Sequence, residues 1–339
     1  GTGSAPRPPA LIIGREGDMQ AMKQRLGIGT GGVQVLTAMR GWPGVGKTTL
    51  ASALAHHAEI IQQFPDGVLW AALGQQPNIF SELTGWGRAL NIATISEARS
   101  IAEASQLLAG ALRTKRALLI VDDVWDAAHL EPFRVGGSGC ALLTTTRLPE
   151  VARAIAPTPQ DVYILGVLNE ADALTLLRAL APMVVAQNED ASKALVNDLE
   201  GLPLALQVAG RLLQAERERG FGVERLLSSI REGAALINAQ APQDRTDIAT
   251  ATTPTVAALL ELSTNMLDQT VLEHFAFLGV FAPKPATFEL AAIAATLGVA
   301  DAHPTVGTLV DRGLLEPVPE SQRYWMHAIL VQHAKSFWQ

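Results

Sequence analysis

A single cysteine, Cys140, stands in a chain of 339 residues. No disulfide framework can exist within it, which fits a reducing cytoplasm, and Cys140 reads as a small core residue. No apolar run approaches the roughly 18–20 residues of a membrane span, and no signal peptide is visible. Surplus positive charge is also missing: the formal net charge is −7, which argues against a general polyanion-binding surface. The pattern G-x-S-x-G is absent, and no Ser-His-Asp or Cys-His set can be assigned. His56 and His57 have no His, Cys or carboxylate spacing around them that would suit a metal, so they read as partly exposed residues of a helix. No N-K-x-D motif is present to read guanine. No repeat of solenoid period appears. What is present is a chain that is 48% hydrophobic and 17% charged, able to bury real cores and long enough for two or three domains. GTGS at the start reads as a cloning remnant and the proline-rich SAPRPPA (4–10) as a linker, so residues 1–10 are set aside. A linker there implies a further segment before it.

GWPGVGKTTL (41–50) matches G-x-x-x-x-G-K-[ST] without a mismatch. Glycines let backbone N–H groups turn inward around a phosphate. Lys47 can reach the terminal phosphates and the Thr48 hydroxyl can ligate Mg²⁺, while Gly44, Val45, Gly46 and Thr49 complete the loop. VQVLTAMRG (33–41) reads as a buried strand and TTLASALAHHAE (48–59) as a helix, which places a helix N-terminus behind the anion. The segments 67–73, 116–125, 140–147 and 161–168 are short and apolar, the pattern of a parallel sheet covered on both faces. Ligands of such sheets lie beyond the carboxyl ends of the strands. ALLIVDD ends one strand in an acidic pair. Asp122 is expected to hold Mg²⁺ and Asp123 to orient or deprotonate the attacking water. Arg147, after TTT, is expected to face the terminal phosphate, because guanidinium suits phosphate oxygens. GIGTGG (27–32) precedes a strand and reads as a flexible connection.

After residue 168 the pattern turns helical. NEADALTLLRAL (169–180) carries apolar residues on one face with Asn169 as its cap. ASKALVNDLEGLPLALQVAGRLL (191–213) reads as two helices broken at Gly201 and Pro203. ERERG (216–220) reads as the solvated end of a helix. QAPQDRTDIATATTP (240–254) is polar and reads as a boundary. Beyond it come short helices, then LLEPV, a turn, RYWMH and a last helix, which together imply a winged-helix unit.

The ordered set IIGRE, GWPGVGKTTL, LLIVDDVWD, LLTTTR, GLPLAL and RYWMHAI resembles the NB-ARC family of STAND ATPases over nearly the whole chain from residue 11. The resemblance implies an α/β P-loop NTPase domain with a parallel sheet (11–165), followed by a helical domain (166–245) and a winged-helix domain (255–339). It implies ADP or ATP with Mg²⁺ as ligands, an ADP-bound closed off-state, ATP-dependent opening and self-association, and a weak ATPase activity serving signal transduction. Effector and sensor domains would lie outside this chain. By matching position, Ile13 and Arg15 would border adenine and ribose, Pro203 would pack on the base, and His327 would reach the ADP β-phosphate. The family's MHD aspartate is replaced by Ala328. An alternative is a DNA-binding regulator that uses the winged helix. From Pro254 onward, however, four basic residues face eight acidic ones, so nucleic acid is not expected as a partner.

Overall fold

The computed structural model describes residues 5–28, 36–41, 44–220, 223–228, 230, 254–284, 286–318 and 321–338. The start of the GIGTGG connection falls within them. Its remainder, the GTGS remnant, Trp42 and Pro43 of the glycine loop, and all of the polar boundary segment but Pro254 lie outside the described residues.

Two compact units emerge. The first comprises Gly1–Pro8, Arg15–Gly41 and Gly46–Gly166. Its five strands are β1 (Leu36–Arg40), β2 (Gly67–Gly74), β3 (Ala117–Val124), β4 (Ala141–Thr146) and β5 (Val162–Ile164). They form one parallel sheet in the order β2-β3-β4-β1-β5. In β3 and β4 almost every side chain is buried, because helices leave neither face of such a sheet to water. Leu119, Val121 and Leu142 join Leu108, Trp86 and Phe133 in the core. Trp86 meets the Phe133 ring edge-on at a centroid distance of 5.1 Å, a preferred aromatic arrangement.

Several expected boundaries shift. The strand expected over 161–168 shortens to Val162–Ile164, whose half-exposed residues place it at the sheet edge. The helix after the glycine loop stops at Ala55, and a second runs Ala58–Gln63. His56 and His57 therefore sit between two helices rather than on one. His56 ends the first, and His57 caps the second by accepting the Glu59 N–H at Nδ1, 3.3 Å. An imidazole nitrogen does here what an Asn or Asp oxygen usually does.

The second unit comprises Pro9–Gly14, Trp42–Val45 and Val167–Gln339. Its helices include Glu170–Leu180, Pro182–Gln187, Glu189–Asp198, Pro203–Glu218, Pro254–Asn265, Gln269–Leu278, Leu290–Leu297, His303–Asp311 and Ala328–Lys335. Asn169 caps the first through the Asp172 N–H, 2.9 Å, and Pro203 opens the fourth, where its missing N–H costs nothing. Strands β6 (Phe288–Glu289), β7 (Glu316–Pro317) and β8 (Arg323–Trp325) form a small antiparallel sheet in the order β6-β8-β7. One apolar core runs from Leu177 and Leu206 to Leu315 and Leu330. Truncating such a fully buried leucine to alanine costs about 2–5 kcal/mol. The solvated helix end expected at 216–220 is only partly so. Glu216 is largely covered, with Arg312 and Arg219 each 3.7 Å from its Oε1.

Candidate nucleotide site

Strand order explains the chemistry of the first unit. β4 lies between β1 and β3, and the register Val121↔Thr144 sets Thr145 beside Asp122. The carboxyl ends of β1, of β3 with its acidic pair and of β4 with TTTR therefore lie side by side at one end of the sheet, where crossover topology leaves a crevice.

Gly44 and Gly46 have φ of +77° and +102°, a region closed to most residues with a Cβ. Successive N–H groups in such a turn form an anion-binding concavity. The helix Lys47–Ala55 begins directly after Gly46, whose lack of a side chain leaves the first-turn N–H groups without a side-chain cap. Thr49 lies in that first turn.

Lys47 is buried, and its Nζ donates to the Gly41 carbonyl at 2.7 Å. Burial above all, then the charge of Arg147, lowers its pKa to about 7, against the pull of Asp123 and Asp122. The Thr48 hydroxyl reaches both oxygens of Asp122, at 3.0 and 2.9 Å. Thr145 Oγ1 donates to Asp122 Oδ1 at 2.5 Å. Asp122 is 2% exposed. Burial first, and Asp123 beside it, raise its pKa to about 6, while the two threonine hydroxyls and Lys47 oppose.

Asp123 adopts φ +57°, strained for a residue with a side chain and tolerated best by Asp and Asn. The pairing of β3 with β2 skips it and resumes at Val124. Its N–H is anchored on Thr145 Oγ1 at 2.9 Å. Its carboxylate takes Trp125 Nε1–H at 3.0 Å on one oxygen and Arg147 at 3.0 Å on the other. The Arg147 guanidinium lies 4.7 Å from the Trp125 ring centroid, close enough for cation–π attraction. Arg147, expected to face a phosphate, is thus held by Asp123 and Trp125.

Thr145 and Trp125 escaped the sequence reading. The signal was available in part: three threonines end a strand whose other positions are apolar, and polar groups buried at a strand's carboxyl end need partners.

The other candidates are placed as follows. Arg15 precedes the helix Glu16–Arg25 and donates to Asp18 Oδ2 and to the Gly166 carbonyl, both at 2.9 Å. Tyr163 of β5 donates to the other oxygen of Asp18 at 2.6 Å. Ile13, Gly44, Val45, Pro203 and His327 belong to the second unit. There Ile13 packs against the apolar core, and the Leu204 N–H, next to Pro203, donates to the Gly44 carbonyl at 3.2 Å. His327 caps the helix Ala328–Lys335, its Nδ1 accepting the Ile329 N–H at 3.3 Å. That bond leaves the ring proton of a neutral imidazole on Nε2.

Among the described residues, no group of three or more His, Cys, Asp or Glu side chains is placed to hold a metal. One buried carboxylate beside one hydroxyl suits Mg²⁺, which keeps waters and takes its remaining ligands from phosphate. Asp122 and Thr48 would hold it.

The NB-ARC domain family matches residues 15–187, slightly over half of the chain. The chain belongs to the NB-ARC family of STAND ATPases. Regulatory protein AfsR of Streptomyces coelicolor is 30% identical over 312 residues, which are 91% of this chain and 30% of that protein. Human apoptotic protease-activating factor 1 is 28% identical over 220 residues, 62% of this chain and 17% of the relative. Probable disease resistance protein RF45 of Arabidopsis thaliana is 30% identical over 215 residues, 58% and 20%. The chain thus spans a third or less of the length of these relatives. Among solved structures, Cdc6p of Pyrobaculum aerophilum aligns over 99% of this chain and 97% of its own, at 15% identity and a TM-score of 0.39, too loosely to add to the argument.

The charge state of Lys47 would make phosphate binding at this site pH-dependent. A phosphate placed beside Lys47 would favour the ammonium form and move its pKa back up. Above pH 7, where Lys47 is mostly neutral without ligand, binding must take up a proton. Apparent affinity is expected to fall by up to about tenfold per pH unit between 7 and 9. Titration calorimetry at pH 8 in buffers of different ionisation enthalpy reads the proton directly, and a heat independent of buffer would contradict the expectation. With its pKa raised to about 6 in the empty site, Asp122 must give up a proton to Mg²⁺ in more acid solution, so Mg²⁺ dependence should weaken as pH falls below 6.

Proposed function

We propose that this NB-ARC chain is an adenine-nucleotide-dependent switch for signal transduction: closed with ADP, opening and self-associating with ATP, and hydrolysing ATP slowly. One observation carries the reading most of the way. Thr145 links Thr48, Asp122, Asp123 and Arg147 into one bonded set at the strand ends, Lys47 feels the charges of Asp122, Asp123 and Arg147, and the charge that burial costs Lys47 is the charge a phosphate would restore. Lys47 would bind the terminal phosphates, Asp122 and Thr48 would hold Mg²⁺, and Asp123 would take a proton from the attacking water. Slow turnover follows from Asp123 being engaged by Arg147 and Trp125. A carboxylate so occupied must be released before it can serve as a base.

The three-domain division, with a helical domain and a winged-helix domain after the P-loop domain, is part of this proposal. So are the roles of Ile13, Arg15 and Pro203 around the adenosine and of His327 at the β-phosphate. Among the described residues no helix is long and apolar enough to cross a membrane, and a cytoplasmic site of action is proposed with the rest. DNA binding is not favoured, since the segment from Pro254 carries four basic against eight acidic residues.

The purified chain is expected to carry ADP. Acid extraction followed by ion-exchange chromatography tests this, and a guanine nucleotide or an empty site would overturn the proposal. His327→Ala is expected to speed ADP release about ten- to a hundredfold, since a hydrogen bond to a charged group contributes about 1.5–3 kcal/mol and such losses appear mainly in the off-rate. Stopped-flow release of a fluorescent ADP analogue measures it; an unchanged rate would remove His327 from the nucleotide's surroundings.

A further inference from the structure

Lys284 follows the helix Gln269–Leu278 and makes three contacts around the segment that leads into His327. Its backbone N–H donates to the Met326 carbonyl at 2.8 Å. Its ammonium lies 4.5 Å from the Trp325 ring centroid, and its Nζ is 2.7 Å from Glu316 Oε2. Glu316 pairs with Trp325 across the β7–β8 ladder. Both charged side chains are largely covered, at 18% and 12% exposure. Burial pushes Glu316 up, but Lys284 above all, then Arg211, hold its carboxyl below the usual range. Arg211 in turn donates to the Leu315 carbonyl at 3.3 Å, and it stands on the helix that Pro203 opens. A bonded path therefore runs from the Pro203 helix through Arg211, β7 and the Lys284–Glu316 pair to Met326 and His327.

We propose that Lys284 and Glu316 are positioning residues for His327, locking the end of β8 and the imidazole orientation and tying both to the helix that begins at Pro203. The proposal rests on the reading of His327 as the residue that senses the nucleotide. A desolvated ion pair suits such a task because its geometry is strict: losing either partner leaves a buried charge uncompensated, and the segment it braces must move. The stack on Trp325 adds orientation, since an ammonium over an indole face is attracted most strongly near the ring centre.

Two measurements on the full chain separate this inference from the reading beneath it. The first uses ¹⁵N-histidine labelling and needs no nucleotide. His327 is expected to show the single tautomer with its proton on Nε2 in the wild type, and averaging between tautomers in Glu316→Gln. The second is ADP release. Glu316→Gln and Lys284→Met are expected to release ADP about tenfold faster, with no further increase when either is combined with His327→Ala, because coupled residues fail to add. Lys284→Arg, which keeps the charge, should behave as the wild type in both measurements. If His327→Ala speeds release while Glu316→Gln leaves both the rate and the tautomer unchanged, the positioning role is wrong. If the tautomer changes but His327→Ala leaves release unchanged, the positioning role stands and the nucleotide reading falls. Should Glu316→Gln not fold by circular dichroism, Lys284→Met removes the other partner of the pair, and wild-type values for it in both measurements overturn the proposal.

Discussion

Lys47→Met is expected to cut nucleotide affinity by a hundredfold or more and, at neutral pH, to leave the empty chain more stable than the wild type. The two effects have opposite signs because Lys47, as proposed, would serve the ligand at the expense of the fold. Its pKa falls from 10.5 to about 7 on burial. A base depressed in this way binds fewer protons folded than unfolded between pH 7 and 10.5, so its contribution to stability rises with pH across that window and is most unfavourable below pH 7. The cost at pH 7 is on the order of a few kcal/mol, partly offset by the 2.7 Å bond to the Gly41 carbonyl. Methionine has similar length and no charge to desolvate. Replacing a buried charge by an apolar group of similar volume often stabilises by about 1–4 kcal/mol. Denaturant melts from pH 6 to 10 should show the wild type gaining stability as pH rises and Lys47→Met nearly flat. A variant that binds ADP with wild-type affinity would remove Lys47 from the phosphate site. A variant that binds nothing but is markedly less stable would show that the lysine holds the fold together instead.

The sequence revealed most where one residue type answers one physical demand. Near-continuous apolar runs marked β2, β3 and β4, since a strand covered on both faces has no polar side. The glycine spacing marked the turn before Lys47, because φ near +102° at Gly46 leaves little choice of residue. Asn169 and the break at Gly201–Pro203 located their helices to within a residue or two. What the sequence hid depended on neighbours distant along the chain. The insertion of β4 between β1 and β3 is a topological fact, and only it brings Thr145 to Asp122, 23 residues away. Arg147 reads equally well as a phosphate ligand or as the partner of Asp123, because guanidinium suits both kinds of oxygen. The His56–His57 break escaped a periodicity argument because both flanking segments are helical and apolar on one face. Lys284 and Glu316 carried no signal, being 32 residues apart and unremarkable except when buried together.

Asp123→Asn is expected to slow ATP hydrolysis about a hundredfold or more, the scale of a positioned general base, while leaving nucleotide affinity within about threefold, the small change expected when no binding contact is lost. Asparagine is the informative substitution. Asp123 sits at φ +57°, where Asn is tolerated and Ala is strained, so the backbone whose N–H donates to Thr145 survives. The amide also keeps an oxygen for Trp125 Nε1–H. What disappears is the charge. Arg147 loses its partner at 3.0 Å, and Lys47 loses one of the two carboxylates that support its ammonium form. The proton taken up on nucleotide binding should therefore become evident at lower pH than in the wild type, a change that a general loss of structure would not produce. Asp122→Ala should differ in kind. It removes the buried carboxylate that Thr48 and Thr145 both address, so Mg²⁺-dependent binding weakens and hydrolysis falls through loss of occupancy. Phosphate release measured at saturating nucleotide separates the two, because saturation recovers a binding defect and cannot recover a missing base. If Asp123→Asn hydrolyses ATP at the wild-type rate under saturation, the water-activating role belongs to another residue, and the ion pair with Arg147 would be the whole reason for the strained backbone at this position.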